Sequence, residues 1–309
     1  MLLTVTLNAS VDKLYLLDQN TLGTVMRVKE VRNSAGGKGL NVSRVAAQLG
    51  ESVTAMGFVG GHMGRYFESL ITQSGIKHAF TPIAAEMRNC INCWDLSSGQ
   101  STEYLETGAS VTEEEANRFL EDYAMRLPAA DAVAISGSLP RGLTDDYYAA
   151  LVRMGHNAGK PVLLDTSGAA LLNALPAAPD FIKPNADEIA AVLGRLPQTF
   201  AEKVDAVRTL HQKGVPFAAL SLGAEGVLVA SAEGVYHGVP PAIQPKNTVG
   251  CGDSMVAGFA VGMVRGLPIQ DRIRLAVAVA TAAALAIGTG EYADHDLQAI
   301  LPKVEIHTL

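Results

Sequence analysis

Residues 247–259 read NTVGCGDSMVAGF: glycines at 250 and 252 flank a cysteine, and Asp253 follows where a helix begins. A glycine turn at a helix start normally receives an anion. Amide N–H groups without helical partners, and the positive end of the helix dipole, point at it. A carboxylate in that place repels the anion unless it takes part in the chemistry. The stretch therefore reads as a loop that offers N–H donors to a migrating phosphoryl group and a carboxylate to an attacking hydroxyl. Asp253 is then the group that takes the hydroxyl proton.

Upstream of this loop the chain alternates apolar strands with helices. DAVAISGSLP (131–140) and PVLLDTSG (161–168) are strands ending in polar turns, and DFIKPNADEIAAVLG (180–194) runs from strand into helix. FAALSLGAEGVLVAS (217–231) and EGVYHGVPP (233–241) form a hairpin-like pair, and LLTVTLNASVD (2–12) and SVTAMGFVG (52–60) are further strands. A helix is expected from about Asn41 to Leu49, ending at Gly50, and another within GRYFESLITQSG (64–75). This rhythm predicts an α/β fold whose mostly parallel sheet is covered on both faces. From about 78 to 107 the pattern changes to alternation, which implies strands with one wet face. Segments at about 12–30 and 88–107 are expected to form a small sheet projecting as a lid, within a single domain spanning 1–309. Ligands of such sheets sit at the carboxyl ends of the strands. Asn8 to Asp12, Ser136 to Ser138, Asp165, Lys183 to Glu188, Ser221 to Gly226 and Thr248 to Asp253 can thus share one crevice.

Bulk composition narrows the function. Hydrophobic residues make up 48% of the 309 and charged residues 18%, which describes a well-buried globular chain and not a disordered one. A net charge of −7 without any Lys/Arg run argues against a nucleic-acid surface. No apolar stretch has the length of a membrane span, and MLLTVTLNAS lacks the basic region and apolar core of a signal peptide, so a cytoplasmic protein is expected. Cys90 and Cys93 stand three apart on a predicted strand, facing opposite sides, and read as structural thiols and not as a metal or redox pair.

Two familiar phosphate loops are absent. Gly37-Lys38 is followed by Gly39, with Arg32 where a Walker loop needs its first glycine; Met255 stands at the third glycine position of a dinucleotide fingerprint. The second absence removes a nicotinamide-dependent oxidoreductase from consideration. SAGGKGLNV (34–42) suits a sugar or anion, with Asn41 able to bond hydroxyls, although a plain glycine turn with a solvated Lys38 has the same composition. KPNADE (183–188) suits Mg²⁺ near Asn185 and Glu188, or equally a helix cap with an acidic first turn. SLGAEG (221–226) suits a nucleotide lying against backbone, or a hairpin turn.

Taken together, TLNASVD (6–12), AGGKGLNV (35–42), RNC (88–90), ISGSLPRGL (135–143), KPNADE, SLGAEG and TVGCGDSMVAGF (248–259) resemble the ribokinase-like carbohydrate kinases of the phosphofructokinase-B branch, in the order found there. The resemblance covers essentially the whole chain. It implies a three-layer α/β/α core with a β lid that commonly serves as a homodimer interface. It further implies an ATP- and Mg²⁺-dependent kinase acting on the hydroxymethyl group of a ketohexose phosphate. On the matching positions, Asp253 would be the base and the N–H groups of Gly250, Cys251 and Gly252 the anion hole. Asp12, Gly36, Gly37 and Asn41 would bind sugar, and Arg88, with Arg27, Lys38 and Ser138, the sugar's existing phosphate. Lys183, Asn185 and Glu188 would lie near the ATP phosphates and the metal; Ser221, Gly223 and Gly226, with Thr248, would lie on the nucleotide side. Because Asp253, Asn185 and Glu188 are all present, a non-catalytic sugar-phosphate sensor on the same scaffold is disfavoured. AGGKGLNVSRVAAQLGE (35–51), IKHAF (76–80), RNCI (88–91), DYYA (146–149) and GTGEYA (288–293) look closest to tagatose-6-phosphate kinases, then to 1-phosphofructokinases and 6-phosphofructokinases of the branch. Two positions depart from the branch pattern: Ala9 replaces a usual proline, and Cys251 a usual alanine or serine. The first departure implies a less rigid substrate loop. The second implies retained activity with some sensitivity to thiol reagents.

Overall fold

The computed structural model describes residues 1–309. Its main sheet has ten strands, ordered 305–308, 234–239, 227–231, 217–221, 181–182, 162–165, 132–136, 2–6, 53–60 and 77–83 from one edge to the other. The strands from 217–221 to 77–83 run parallel, while the last three at the opposite edge are antiparallel. Strands Leu2–Thr6, Ala132–Ser136 and Val162–Asp165 are buried at every position. That explains their unbroken apolar sequence, since helices cover both faces. Two hydrophobic clusters occupy those faces, one built around Phe181, Phe259 and Val277 and the other around Phe119, Tyr148 and Leu164. This is the ribokinase-like three-layer arrangement. No helix is long and apolar enough to cross a membrane.

The Cys251–Val264 helix is buried continuously from Asp253 to Gly262 and packs against the helix Ile269–Ala283. An added Cβ at Gly258 would fall 2.7 Å from Ala276 Cα, and one at Gly262 3.1 Å from Arg272 Cα. These glycines let two backbones approach closely, so the helix is apolar all round instead of amphipathic.

The second sheet is four-stranded, ordered Glu30–Gly36, Ser10–Leu17, Arg88–Asp95 and Ser101–Leu105. Its second strand in sequence thus begins where the predicted 12–30 segment ends, because Ser10 pairs with Gly36 and Leu16 with Glu30. The residues SAG at 34–36, read as part of a turn, finish this strand. The following helix spans Lys38–Gln48 and starts three residues earlier than expected, with Gly37 as its cap at φ 115°. Lys77–Ile83 alternates for a different reason from the lid strands: it is the edge of the main sheet, paired parallel to Val53–Gly60.

Candidate active site

The carboxyl ends of the central strands and the inner side of the small sheet enclose one cavity of about 770 Å³. Only six of its 37 lining residues are hydrophobic, which fits a hydroxylated, anionic ligand better than an apolar one. Thr6, Asp165, Lys183 and Ser221 reach it from strand ends, and Asp12 and Arg88 from the lid.

Asp253 lies in the first turn of the Cys251–Val264 helix, 6% exposed, with its carboxylate in this cavity. Gly250 caps the helix at φ 80°, a left-handed conformation; a Cβ there would also fall 2.4 Å from Thr289 Cγ2. The N–H groups of Gly250, Gly252 and Asp253 have no partner in the chain, whereas the Cys251 N–H reaches Thr248 O at 3.3 Å. The free donors beside Asp253 therefore come from positions 250, 252 and 253, and Cys251 is not among the cavity residues.

Three charged groups, Asp165, Lys38 and Lys183, act on Asp253. Lys183 forms a buried pair with Asp165 at 3.7 Å, and its Nζ would be 3.1 Å from a Cβ at Gly252. The absent side chain at 252 leaves room for that ammonium. Lys38 is held protonated above its ordinary range, chiefly by Asp165, with Asp253 and Glu188 adding to the effect. Burial, and then the nearby charge of Asp165, push Asp253 up to about 6, against the opposing pull of the Asn41 bond, Lys38 and Lys183.

Asn41, expected on the sugar, donates from Nδ2 to Asp253 Oδ2 at 2.7 Å. Asp12 is bonded by Ser10 Oγ, and burial raises its pKa. A Cβ at Gly36 would fall 1.9 Å from the Asp12 Cγ, so glycine there clears space for the carboxyl. Gly37, Lys38 and Ser138 also line the cavity. Arg88 donates to Asn8 O through Nε (3.1 Å) and Nη2 (2.7 Å), and to Glu106 O through Nη1 (3.0 Å). Two of its five N–H groups remain for a phosphate. Asn8 in turn donates to Ser138 Oγ at 3.1 Å, tying core to lid at this point.

Some expected residues lie elsewhere. Arg27 is exposed in the connection between the first two lid strands and does not reach the cavity. Thr248, Gly223 and Gly226 also lie outside it, with Ser221 alone representing that side. The glycine at 226 has a local reason: at φ 91° it turns the hairpin, and a Cβ would meet Gly238 O at 1.9 Å. Asn185 and Glu188 do line the cavity, and they form a reciprocal helix cap: Asn185 Oδ1 accepts from Glu188 N (2.8 Å) and Glu188 Oε2 from Asn185 N (2.9 Å). No three Asp, Glu, His or Cys side chains cluster as a metal cage. A divalent cation that fits here is therefore one content with one carboxylate oxygen, such as Glu188 Oε1, and the phosphates of a bound nucleotide, which is the habit of Mg²⁺.

Residues 5–296 match the pfkB family carbohydrate kinases. The chain belongs to that family. Among solved structures, this kinase is similar to phosphofructokinase-2 from Escherichia coli (27% identity, TM-score 0.91, 98% of each chain). It is also similar to a putative phosphofructokinase from Staphylococcus aureus (30%, TM-score 0.85, 100% of this chain and 99% of that one). A possible 1-phosphofructokinase from Thermotoga maritima superposes at TM-score 0.92 with 26% identity, over 100% and 99% of the two chains. The protein is thus a sugar-phosphate kinase of the ribokinase-like fold.

Asp165, expected in the crevice as a polar strand end, does line the cavity; its pairing with Lys183, which sets the local field, was not foreseen. One residue of the kinase's site, Arg44, escaped sequence reasoning. Arg44 carried a usable signal: it stands three residues after Asn41, on the same helix face.

Cys251 opens the helix that carries Asp253. Burial pushes its thiol up to about 11, and the Asp253 carboxylate adds to this. The thiolate is the reactive form, so at pH 8 iodoacetamide should label Cys251 roughly a hundredfold more slowly than a free cysteine. Mass-spectrometric time courses check this. The result would replace the thiol-reagent sensitivity expected from sequence.

Proposed function

We propose that the kinase transfers the γ-phosphoryl group of ATP to the hydroxymethyl group of a ketohexose phosphate, with tagatose 6-phosphate the preferred acceptor and tagatose 1,6-bisphosphate the product. The observation that carries this reading is the placing of one buried carboxylate, Asp253, beside unpartnered backbone N–H groups in a cavity that also holds Lys38 and Lys183. Asp253 accepts the proton of the acceptor hydroxyl as its oxygen bonds to the γ-phosphorus; the bond to the β-phosphate oxygen breaks and ADP departs. The N–H groups of Gly250 and Gly252 and the Lys183 ammonium beside Gly252 face the charge on the transferring phosphoryl oxygens. A divalent cation, proposed to be Mg²⁺ near Asn185 and Glu188, supplies charge neutralisation of the nucleotide phosphates when bound.

The sugar end is assigned to Asp12, Gly36, Gly37 and Asn41, and the existing phosphate to Arg88, Lys38 and Ser138. The nucleotide would lie toward Lys183 and Ser221. Sequence similarity in AGGKGLNVSRVAAQLGE and GTGEYA supports the tagatose reading over fructose 1-phosphate and fructose 6-phosphate. A coupled ADP-release assay with ATP and Mg²⁺ against all three sugars tests it. A kcat/KM for either fructose phosphate above that for tagatose 6-phosphate would overturn the substrate assignment.

Arg88→Ala is expected to raise KM for the sugar phosphate at least about tenfold while moving KM for ATP little, since a charged fork to phosphate is lost. Steady-state titration of each substrate checks this; equal changes in both would contradict the assignment.

The lid is the proposed homodimer surface. Leu22, Val25, Val31 and Tyr104 are apolar or aromatic side chains left 50% or more exposed there (83%, 91%, 50% and 53%). Light scattering with a charged replacement of Val31 tests that contact.

A further inference from the structure

The side-chain amide of Asn41 has two orientations of nearly equal shape, and only one of them helps Asp253. Its nitrogen end donates to the carboxylate; its oxygen end would set lone pair against lone pair. Arg44 decides between them. A guanidinium carries donors only, and Arg44 Nη2 donates to Asn41 Oδ1, which turns Nδ2 toward Asp253 Oδ2 at 2.7 Å.

The guanidinium is itself fixed from two other directions. Nη1 donates to Ala35 O at 2.5 Å, at the end of a lid strand, and Nη2 also approaches Thr289 O at 3.3 Å. Next to Thr289, Gly290 at φ 71° leaves the space that Asn41 occupies: a Cβ there would fall 2.9 Å from Asn41 Cα and 3.0 Å from its Oδ1. Arg44 also lines the cavity with Asp253.

We propose that Arg44 is a positioning residue for phosphoryl transfer: by fixing the Asn41 amide it holds one oxygen of Asp253 and leaves the other for the acceptor hydroxyl. This rests on the reading of Asp253 as the base. Arg44 touches neither substrate in this account and acts only through Asn41. Without it the amide is free to turn, and the carboxylate loses the bond that sets its plane.

Arg44→Ala should lower kcat about tenfold or more, the scale of a misoriented catalytic group, while KM for ATP stays within about twofold. Millimolar guanidinium should restore part of that kcat, and equal sodium chloride should not. Arg44→Lys should recover only part of the loss, because an ammonium cannot reproduce the planar fork that spans three acceptors. Gly290→Ala provides a second approach that keeps Arg44: crowding Asn41 from the other side should also lower kcat with KM for ATP retained. A folded Arg44→Ala protein with wild-type kcat overturns the proposal. So does a loss of kcat that guanidinium leaves untouched and that tracks a fall in the folded fraction. Asp253→Asn, assayed in parallel, separates the two levels. If it remains active, the base assignment fails; if it is inactive while Arg44→Ala turns over normally, only the role of Arg44 fails.

Discussion

Asp253→Asn should cut turnover by at least about a hundredfold, the lower range for a lost general base, and at the same time make the fold more stable. The two effects share one cause. The folded protein holds the Asp253 proton more tightly than an unfolded chain does, since burial and Asp165 raise its pKa from 3.8 to about 6. Above pH 6 the site therefore carries a carboxylate that the fold disfavours. Its cost is fully present at neutral pH and fades as pH falls through about 6, where the folded state gains the proton. By linkage that cost is on the order of 2–3 kcal/mol at pH 7. Asparagine has the same shape, keeps an acceptor for Asn41 Nδ2 and carries no charge. Thermal unfolding of the variant at pH 7 should show a higher midpoint than wild type, and the difference should shrink by pH 5. The wild-type pH–rate profile should fall on its acid side near pH 6, as the base becomes protonated. Near-normal turnover in the variant would remove Asp253 from the chemistry. Lowered stability would show that the carboxylate is accommodated more comfortably than its burial implies.

The legible parts of this protein were those where local physics and tertiary use coincide. Strands such as AVAIS (132–136) and VLLD (162–165) are buried on both faces, so their apolar runs announced a parallel sheet directly. Gly250 and Asp253 were legible because an anion-binding helix start and a carboxylate conflict unless chemistry joins them. The lid was legible in kind but not in extent. The Glu30–Gly36 strand ends at Gly36, which clears space for Asp12, and Gly37 caps the next helix, so its last residues, SAG at 34–36, read as part of a turn. Asn185 and Glu188 show the opposite difficulty. Their spacing serves a metal and a capping box alike, and the structure forms the capping box from oxygens that a metal would also seek. Arg44 was hidden because its work is done on another side chain, a relation between Asn41 and Asp253 that lie 212 positions apart.

The other large effect expected is on stability, from Lys183→Met. Lys183 and Asp165 are both buried, at 6% and 4% exposure, and pair at 3.7 Å. Removing the ammonium leaves the Asp165 carboxylate buried, with Lys38 as its remaining cationic neighbour. Breaking one side of a buried pair costs about 3–5 kcal/mol, or roughly 5–8 °C in unfolding midpoint for a chain of this size. Adding Asp165→Asn removes the stranded charge, so the double variant should recover most of that loss, because removing both charges is far cheaper than removing one. Turnover should not recover with it. In the double variant the cavity still lacks the ammonium that sits against Gly252, beside the unpartnered N–H groups of the helix start. Asp165→Asn alone should move the acid limb of the rate profile to lower pH, since Asp165 is the largest electrostatic reason that the Asp253 pKa is raised. If Lys183→Met and the double variant unfold at the same temperature, the pair contributes nothing through its charge. If turnover returns with stability, Lys183 serves the fold and not the phosphoryl group. Separating those two services matters here, because the ammonium that neutralises the Asp165 carboxylate is also the one proposed to meet the phosphoryl group beside Gly252.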